Sequence, residues 1–258
     1  MRTVQIGPVI GLTGQLALLS VLAGTIGLGL AGWLVGIACG LTTTAILCYG
    51  LTRTGTAALG AANRVTLTRA ALVGGVAALV ADELVEPGSA ATLVGLAVVA
   101  LVLDGVDGWV ARRTGTVSAL GARFDMEVDA FLILVLSIYV TGSVGPWVLA
   151  IGAARYVAWA AGSLVPWLGV PVPPRYWRKP VAAIQGIVLT AAVAHVLPAP
   201  VMTAAIAVAL LLLAESFGRD VVWQWRQRRS DMSAWVVAMA TTQADKSETA
   251  RLVVTGRG

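Results

Sequence analysis

The chain has 258 residues, of which 58% are apolar and only 12% charged, and its formal net charge is +5. Soluble domains average about 25% charged and 45–50% apolar residues, so this chain could not cover its own surface in water. A soluble globular enzyme, a disordered chain and a collagen-like repeat are excluded. The positive charge is mostly arginine placed between apolar runs, which suits loops beside anionic lipid. No nucleic-acid partner is expected.

A membrane span needs about 20 apolar residues, and the sequence predicts eight such helices, hence an all-α polytopic membrane protein. Residues 9–50 are apolar with a break near Gly27–Gly32 and read as a tight pair of helices. Only Arg2 precedes this run and no small-residue cleavage site ends it, so a signal peptide is not expected. Gly32, Gly36 and Gly40 recur every four residues, a spacing that lets helices pack closely within the chain. Cys39 and Cys48 would stand roughly 13 Å apart along one helix, too far to bond each other. Further apolar runs lie at about 65–81, 90–112, 117–141, 146–168, 180–197 and 199–217. Beyond Phe217, Trp223 and Trp225 beside arginines suggest an interfacial anchor, and a mostly disordered tail is expected over 218–258. The implied division is a hairpin and linker at 1–59, a six-helix core at 60–217 and that tail.

Charge placement sets the expected orientation. Arg53, Arg64, Arg112, Arg113, Arg175, Arg178, Lys179 and Arg226–Arg229 fall at alternate span ends, whereas Asp82, Glu83 and Glu86 fall at an opposite end. The positive-inside rule then puts both termini in the cytoplasm.

The informative segment is LVLDGVDGWVARRTGTVSALGARFDMEVDA at 101–130. Asp104 and Asp107 are three apart on one predicted helix; Asp125 and Asp129 are four apart on the next, so each pair shares a helical face. A turn near Gly115 puts both pairs roughly 15 Å from it, at similar depth. Four converging carboxylates would be costly without compensation. All-oxygen ligation favours Mg²⁺ or Mn²⁺. The competing reading is a salt-bridge cluster with Arg69, Arg112 and Arg123, which gives no reason for the small residues among the acids. Gly108, Ala111 and Gly121 would leave a groove beside the metal. Elsewhere, Arg155 interrupts an apolar helix, where an arginine must face a polar cavity or a partner. Glu127 reads as a partner for Arg123 or a loop group. His195, the only histidine, suits packing on the far side, and Glu215 has no assignment.

The pattern Asp104-x-x-Asp107-Gly108-x-x-Ala111-Arg112, eight residues, Gly121-x-x-x-Asp125-x-x-x-Asp129 resembles the full signature of the CDP-alcohol phosphotransferases (CDP-alcohol phosphatidyltransferases). Asn63-Arg64-Val65-Thr66-Leu67-Thr68-Arg69 resembles the Asn-x-Leu-Thr-x-x-Arg segment of that family, with Val65 in place of Leu. Lys179 and Gln185 resemble the Lys and Gln of a segment in phosphatidylglycerophosphate synthases, from which Val181 and Ala182 depart. The resemblance implies a six-helix catalytic core and transfer of a phosphatidyl group from CDP-diacylglycerol to an alcohol with release of CMP. It implies Asp104, Asp107, Asp125 and Asp129 as metal ligands, with Asp129 also the catalytic base. Asn63, Thr66, Arg69, Gly108, Ala111, Arg112 and Gly121 are expected at the nucleotide, and Arg155 and Lys179 at the acceptor. Glycerol 3-phosphate, phosphatidylglycerol and inositol phosphate all remain open as acceptors. The expected place is the cell membrane with the site facing the cytoplasm, in a homodimer. Alternatives are a related enzyme using a soluble CDP-linked headgroup, a divalent-cation transporter and an idle scaffold.

Overall fold

The computed structural model describes residues 6–54, 61–86, 88, 90–114, 119–170, 172–173 and 177–255, with side chains outside the description at 6, 54, 61–64, 107–112, 114, 119–120, 178–179 and from 230 onward. Among the described residues the chain forms eight α-helices and no strand: α1 (Ile6–Ile26), α2 (Leu30–Thr54), α3 (Ala61–Glu83), α4 (Ala90–Thr114), α5 (Ala119–Val144), α6 (Leu149–Leu164), α7 (Arg178–Val193) and α8 (Ala199–Thr255). Six stretches are long and apolar enough to cross a bilayer: Gly7–Ile26, Leu30–Arg53, Val65–Glu83, Gly121–Val144, Pro146–Leu164 and Ala199–Arg229. Two shorter apolar helices, Ala90–Val106 and Pro180–Val193, complete the expected eight. The protein is a multi-pass, all-α membrane protein.

The chain divides into two compact units, one of residues 1–155 and 177–213, the other of 156–176 and 214–258. In the first unit α3 packs against α1, α2, α4 and α5. Its sequence explains this place. Leu72-Val-Gly-Gly-Val-Ala-Ala-Leu-Val80 is apolar on every face and small on several, and all of residues 73–80 are buried. Apolar side chains alone would suit lipid equally well; the small residues Gly74, Gly75, Ala77 and Ala78 let neighbouring helices approach α3 closely on several sides.

The N-terminal pair docks on this central helix through small and polar residues. Gly27, at φ 76°, makes the turn between α1 and α2, a backbone conformation that favours glycine. The Asp82 carboxylate at the end of α3 accepts the Gly29 N–H, at 3.1 and 2.9 Å to its two oxygens, and so ties that turn to α3. Buried Gln15 of α1 donates to the Gly36 carbonyl of α2 at 3.4 Å, and its side chain lies against Gly74 of α3. Gly36 and Gly40 face Leu19 and Leu12 of α1, so the glycine ladder serves internal packing as expected. Cys39 and Cys48 are free thiols.

At the other side of the unit, Gly152 lets α6 approach α5. A Cβ there would lie 2.6 Å from the Leu134 Cα, closer than backbone can tolerate. α7 ends at Val193, earlier than the apolar run to 197 suggests. His195 adopts φ 51° and Val196 N–H returns to the Ala191 carbonyl at 3.2 Å, closing the helix.

In the second unit, buried Gln224 donates to the carbonyls of Leu168 and Val170, both at 2.8 Å, and clasps the 3₁₀ turn Pro166–Gly169. Arg228 lies 5.7 Å from the Trp167 ring centroid and Arg229 lies 4.5 Å from that of Trp225, cation–π contacts that suit an interfacial anchor. Glu215 pairs with Arg219 one turn on. The disordered tail expected after 218 is corrected by α8, which continues as helix to Thr255. Residues 219–255 contain neither Gly nor Pro, the two strongest helix breakers, and carry Ala and Arg throughout, so helix is permitted even though the hydrophobic periodicity is weak.

Candidate active site

The site is built on three helices of the first unit. α3 contacts both α4 and α5, and Arg69 lies on it, one turn after buried Thr66. Asp104 comes from α4, and Asp125 and Asp129 come from successive turns of α5. One carboxylate oxygen from each of the three acids lies within 4.8 Å of the others. The convergence expected from the two spacings is therefore present for these three. Asp107 follows Asp104 by three residues on α4, but its side chain lies outside the described residues.

Arg69 is the deepest member. Its side chain is 1% exposed, whereas those of Asp104, Asp125 and Asp129 are 40%, 35% and 33% exposed. The guanidinium thus forms a floor and the carboxylates a rim. Its Nη1 donates to Asp104 Oδ1 at 2.7 Å. Its Nη2 donates to Asp129 Oδ1 at 2.9 Å, to the Asp125 carbonyl at 3.2 Å and to Asp125 Oδ1. A guanidinium buried without partners would cost several kcal/mol, so this side chain requires α4 and α5 to bring their acids together. The reverse also holds, since three carboxylates against one guanidinium still leave two formal negative charges.

Arg69, expected at the nucleotide, lies here beneath the acids. Of the two neutralising arginines whose side chains are described, Arg69 lies among the acids. Arg123 is exposed, and the Arg112 side chain lies outside the described residues. The side chains of Asn63, Gly108, Ala111 and Lys179 do too, and the expected turn near Gly115 falls on 115–118, also outside. Gly121 is half-buried on α5, one turn before Asp125. Gly105, the residue after Asp104 on α4, is exposed, and a Cβ there would meet nothing within 4 Å.

Glu127 lies between the two α5 acids in sequence and roughly 200° around the helix from Asp125. It pairs with Arg155 of α6, through Nη2 to Oε1 and through Nε to Oε2 at 3.3 Å. The expected partner Arg123 is corrected. The pairing follows from the close approach at Gly152, one turn before Arg155, which sequence spacing does not reveal. Both side chains remain open, at 37% and 50% exposed. Gln185 is buried on α7 and donates to the Ala209 carbonyl of α8 at 2.8 Å; it fastens two helices.

The donor set suits a hard divalent cation. It offers carboxylate oxygens only, close together and partly open. The arrangement also supplies a carboxylate, Asp129, able to accept a proton at the rim.

No curated protein and no solved structure matches the chain at a significant level. A family model described as CDP-alcohol phosphatidyltransferase matches residues 59–242, which span α3 through the greater part of α8 and include every member of the acidic site. Such transferases use a CDP-linked substrate and an alcohol acceptor. With its membrane spans and its acids converging from two helices, the chain belongs to the CDP-alcohol phosphatidyltransferase family.

Proposed function

We propose that the protein transfers a phosphatidyl group from CDP-diacylglycerol to an alcohol and releases CMP. The single observation that carries this reading is the convergence of Asp104 with Asp125 and Asp129 at a partly open rim on membrane-spanning helices. A donor with two acyl chains needs a site reachable from lipid, and its pyrophosphate needs positive charge at that site.

Asp104, Asp107, Asp125 and Asp129 would hold one or two Mg²⁺ or Mn²⁺ ions. Bound there, a divalent ion supplies charge neutralisation for the pyrophosphate and the departing CMP. Asp129 is placed as general base for the acceptor hydroxyl. The acceptor oxygen bonds to the phosphorus carrying the diacylglycerol, the pyrophosphate P–O bond breaks, CMP leaves with the electron pair, and the hydroxyl proton passes to Asp129. Asn63, Thr66, Gly108, Ala111, Arg112 and Gly121 are assigned to the nucleotide side, on α3, α4 and α5. The catalytic core is residues 60–217, and the alternating arginines support a cytoplasmic site in the cell membrane.

Arg155 and Lys179 are assigned to the acceptor, which favours one carrying phosphate. The Arg155 side chain is 37% exposed, so its guanidinium can be reached by a phosphate. Arg155→Gln is expected to raise KM for a phosphate-bearing acceptor at least tenfold while kcat stays within about threefold. An unchanged KM removes Arg155 from the acceptor site.

The deciding experiment is CMP release from CDP-diacylglycerol by the purified protein with a panel of alcohols, the product identified by mass spectrometry. A phosphatidyl product supports the reading. Release of CMP only from a soluble CDP-linked headgroup would replace the donor, and no CMP from either would remove the reaction.

A further inference from the structure

Among the described residues Arg69 is the largest fully buried side chain, and it donates hydrogen bonds to Asp104, Asp125 and Asp129, the acids whose oxygens cluster closely enough to hold a metal. One guanidinium and one divalent ion would therefore draw on one set of donors. Two consequences follow from charge alone. With the guanidinium in place, α4 and α5 can pack with their acids converged before any metal binds, because like-charge repulsion is partly cancelled. The same positive charge then opposes a metal a few ångströms away and occupies oxygens that would ligate it.

We propose that Arg69 is a built-in counter-cation that competes with the divalent metal for Asp104, Asp125 and Asp129. It acts as a positioning residue that assembles the acids and keeps the metal weakly held. The inference rests on the metal part of the proposed function but not on the identity of donor or acceptor. Weak holding suits a site where the ion exchanges readily and gains its remaining ligands from the substrate's pyrophosphate. A metal-only cluster would need no buried arginine, and an arginine-only cluster would not leave three carboxylates a third or more exposed.

The test is Mn²⁺ binding to the detergent-solubilised full chain, followed by electron paramagnetic resonance without any nucleotide or lipid substrate. Arg69→Gln is expected to bind Mn²⁺ at least tenfold more tightly than the parent protein, because repulsion and competition are removed together. A merely structural arginine predicts the opposite, since loosened acids bind metal more weakly. An arginine that only contacts nucleotide predicts an unchanged affinity. Unchanged or weaker binding overturns the proposal. Should Arg69→Gln fail to accumulate, Arg69→Lys decides. Lysine keeps the charge but offers a compact ammonium in place of the planar fork, so binding a fewfold tighter is expected, and equal or weaker binding overturns the proposal. Equal Mn²⁺ binding by parent and variant defeats this inference alone. No Mn²⁺ binding by either defeats the metal reading as well, while the CMP-release experiment still judges the reaction separately.

Discussion

Asp129→Asn is expected to lower CMP release at least a thousandfold at saturating Mg²⁺ while the protein still folds. Asparagine keeps the size of the side chain and an oxygen that can accept from Arg69, which donates to Asp129 Oδ1 at 2.9 Å in the native protein. The loss of one charge from a rim that is one-third exposed disturbs packing little. What disappears is the only protonatable group this position offers. Removal of a positioned general base typically costs 10²–10⁴ in rate, and loss of a ligand adds to it. Excess metal separates the two effects. Asp104→Asn is a ligand change alone, so high Mg²⁺ should recover part of its activity. Asp129→Asn should stay inactive under the same conditions. Thermal unfolding and kcat measured on both variants provide the check. Recovery of Asp129→Asn to within tenfold of the parent at high Mg²⁺ would leave it a ligand and nothing more.

The acids were legible because two short spacings fix them. Asp104 with Asp107, and Asp125 with Asp129, each lie on one helical face whatever else the chain does. The spans were legible for a similar reason, since apolar runs near 20 residues long declare themselves by length and composition. Partner choice was not. Arg69, Arg112 and Arg123 are equally good neutralisers on paper, and only the packing of α3 against both α4 and α5 puts Arg69 beneath the carboxylates. Glu127 found Arg155 because Gly152 brings α6 against Leu134 of α5, a contact between residues with no local signal connecting them. The docking of the N-terminal pair depends likewise on Asp82 meeting Gly29 and on Gln15 meeting Gly36. That pair lies outside the matched family segment yet belongs to the same compact unit as the site. The ion-pair and metal readings of the acids looked like rivals in the sequence. In the structure they concern the same oxygens, so each sets terms for the other.

Removing divalent metal is expected to cut CMP release more than a hundredfold, with activity restored by Mg²⁺ or Mn²⁺. The described acids and Arg69 together carry two formal negative charges. The pyrophosphate of a CDP-lipid brings about two more. At a separation of about 5 Å the repulsion between them is roughly 13 kcal/mol for an effective dielectric constant of about 20, and roughly 3 kcal/mol in fully aqueous surroundings. The acids are partly exposed, so the true value falls between these limits. A micromolar substrate binds with only about 8 kcal/mol. Even the weaker limit therefore lowers affinity more than a hundredfold, and the stronger one prevents binding altogether. Asp107 would add a further negative charge and deepen the loss. The measurement is CMP release after chelation with EDTA, the metal content followed by elemental analysis, and then readdition of each cation. Asp104→Asn and Asp125→Asn should each require at least tenfold more Mg²⁺ for half-maximal rate, because each removes one of three clustered carboxylates. Full activity in metal-free protein would mean that Arg69 and other cationic groups alone neutralise the donor, and the acids would then need a different role.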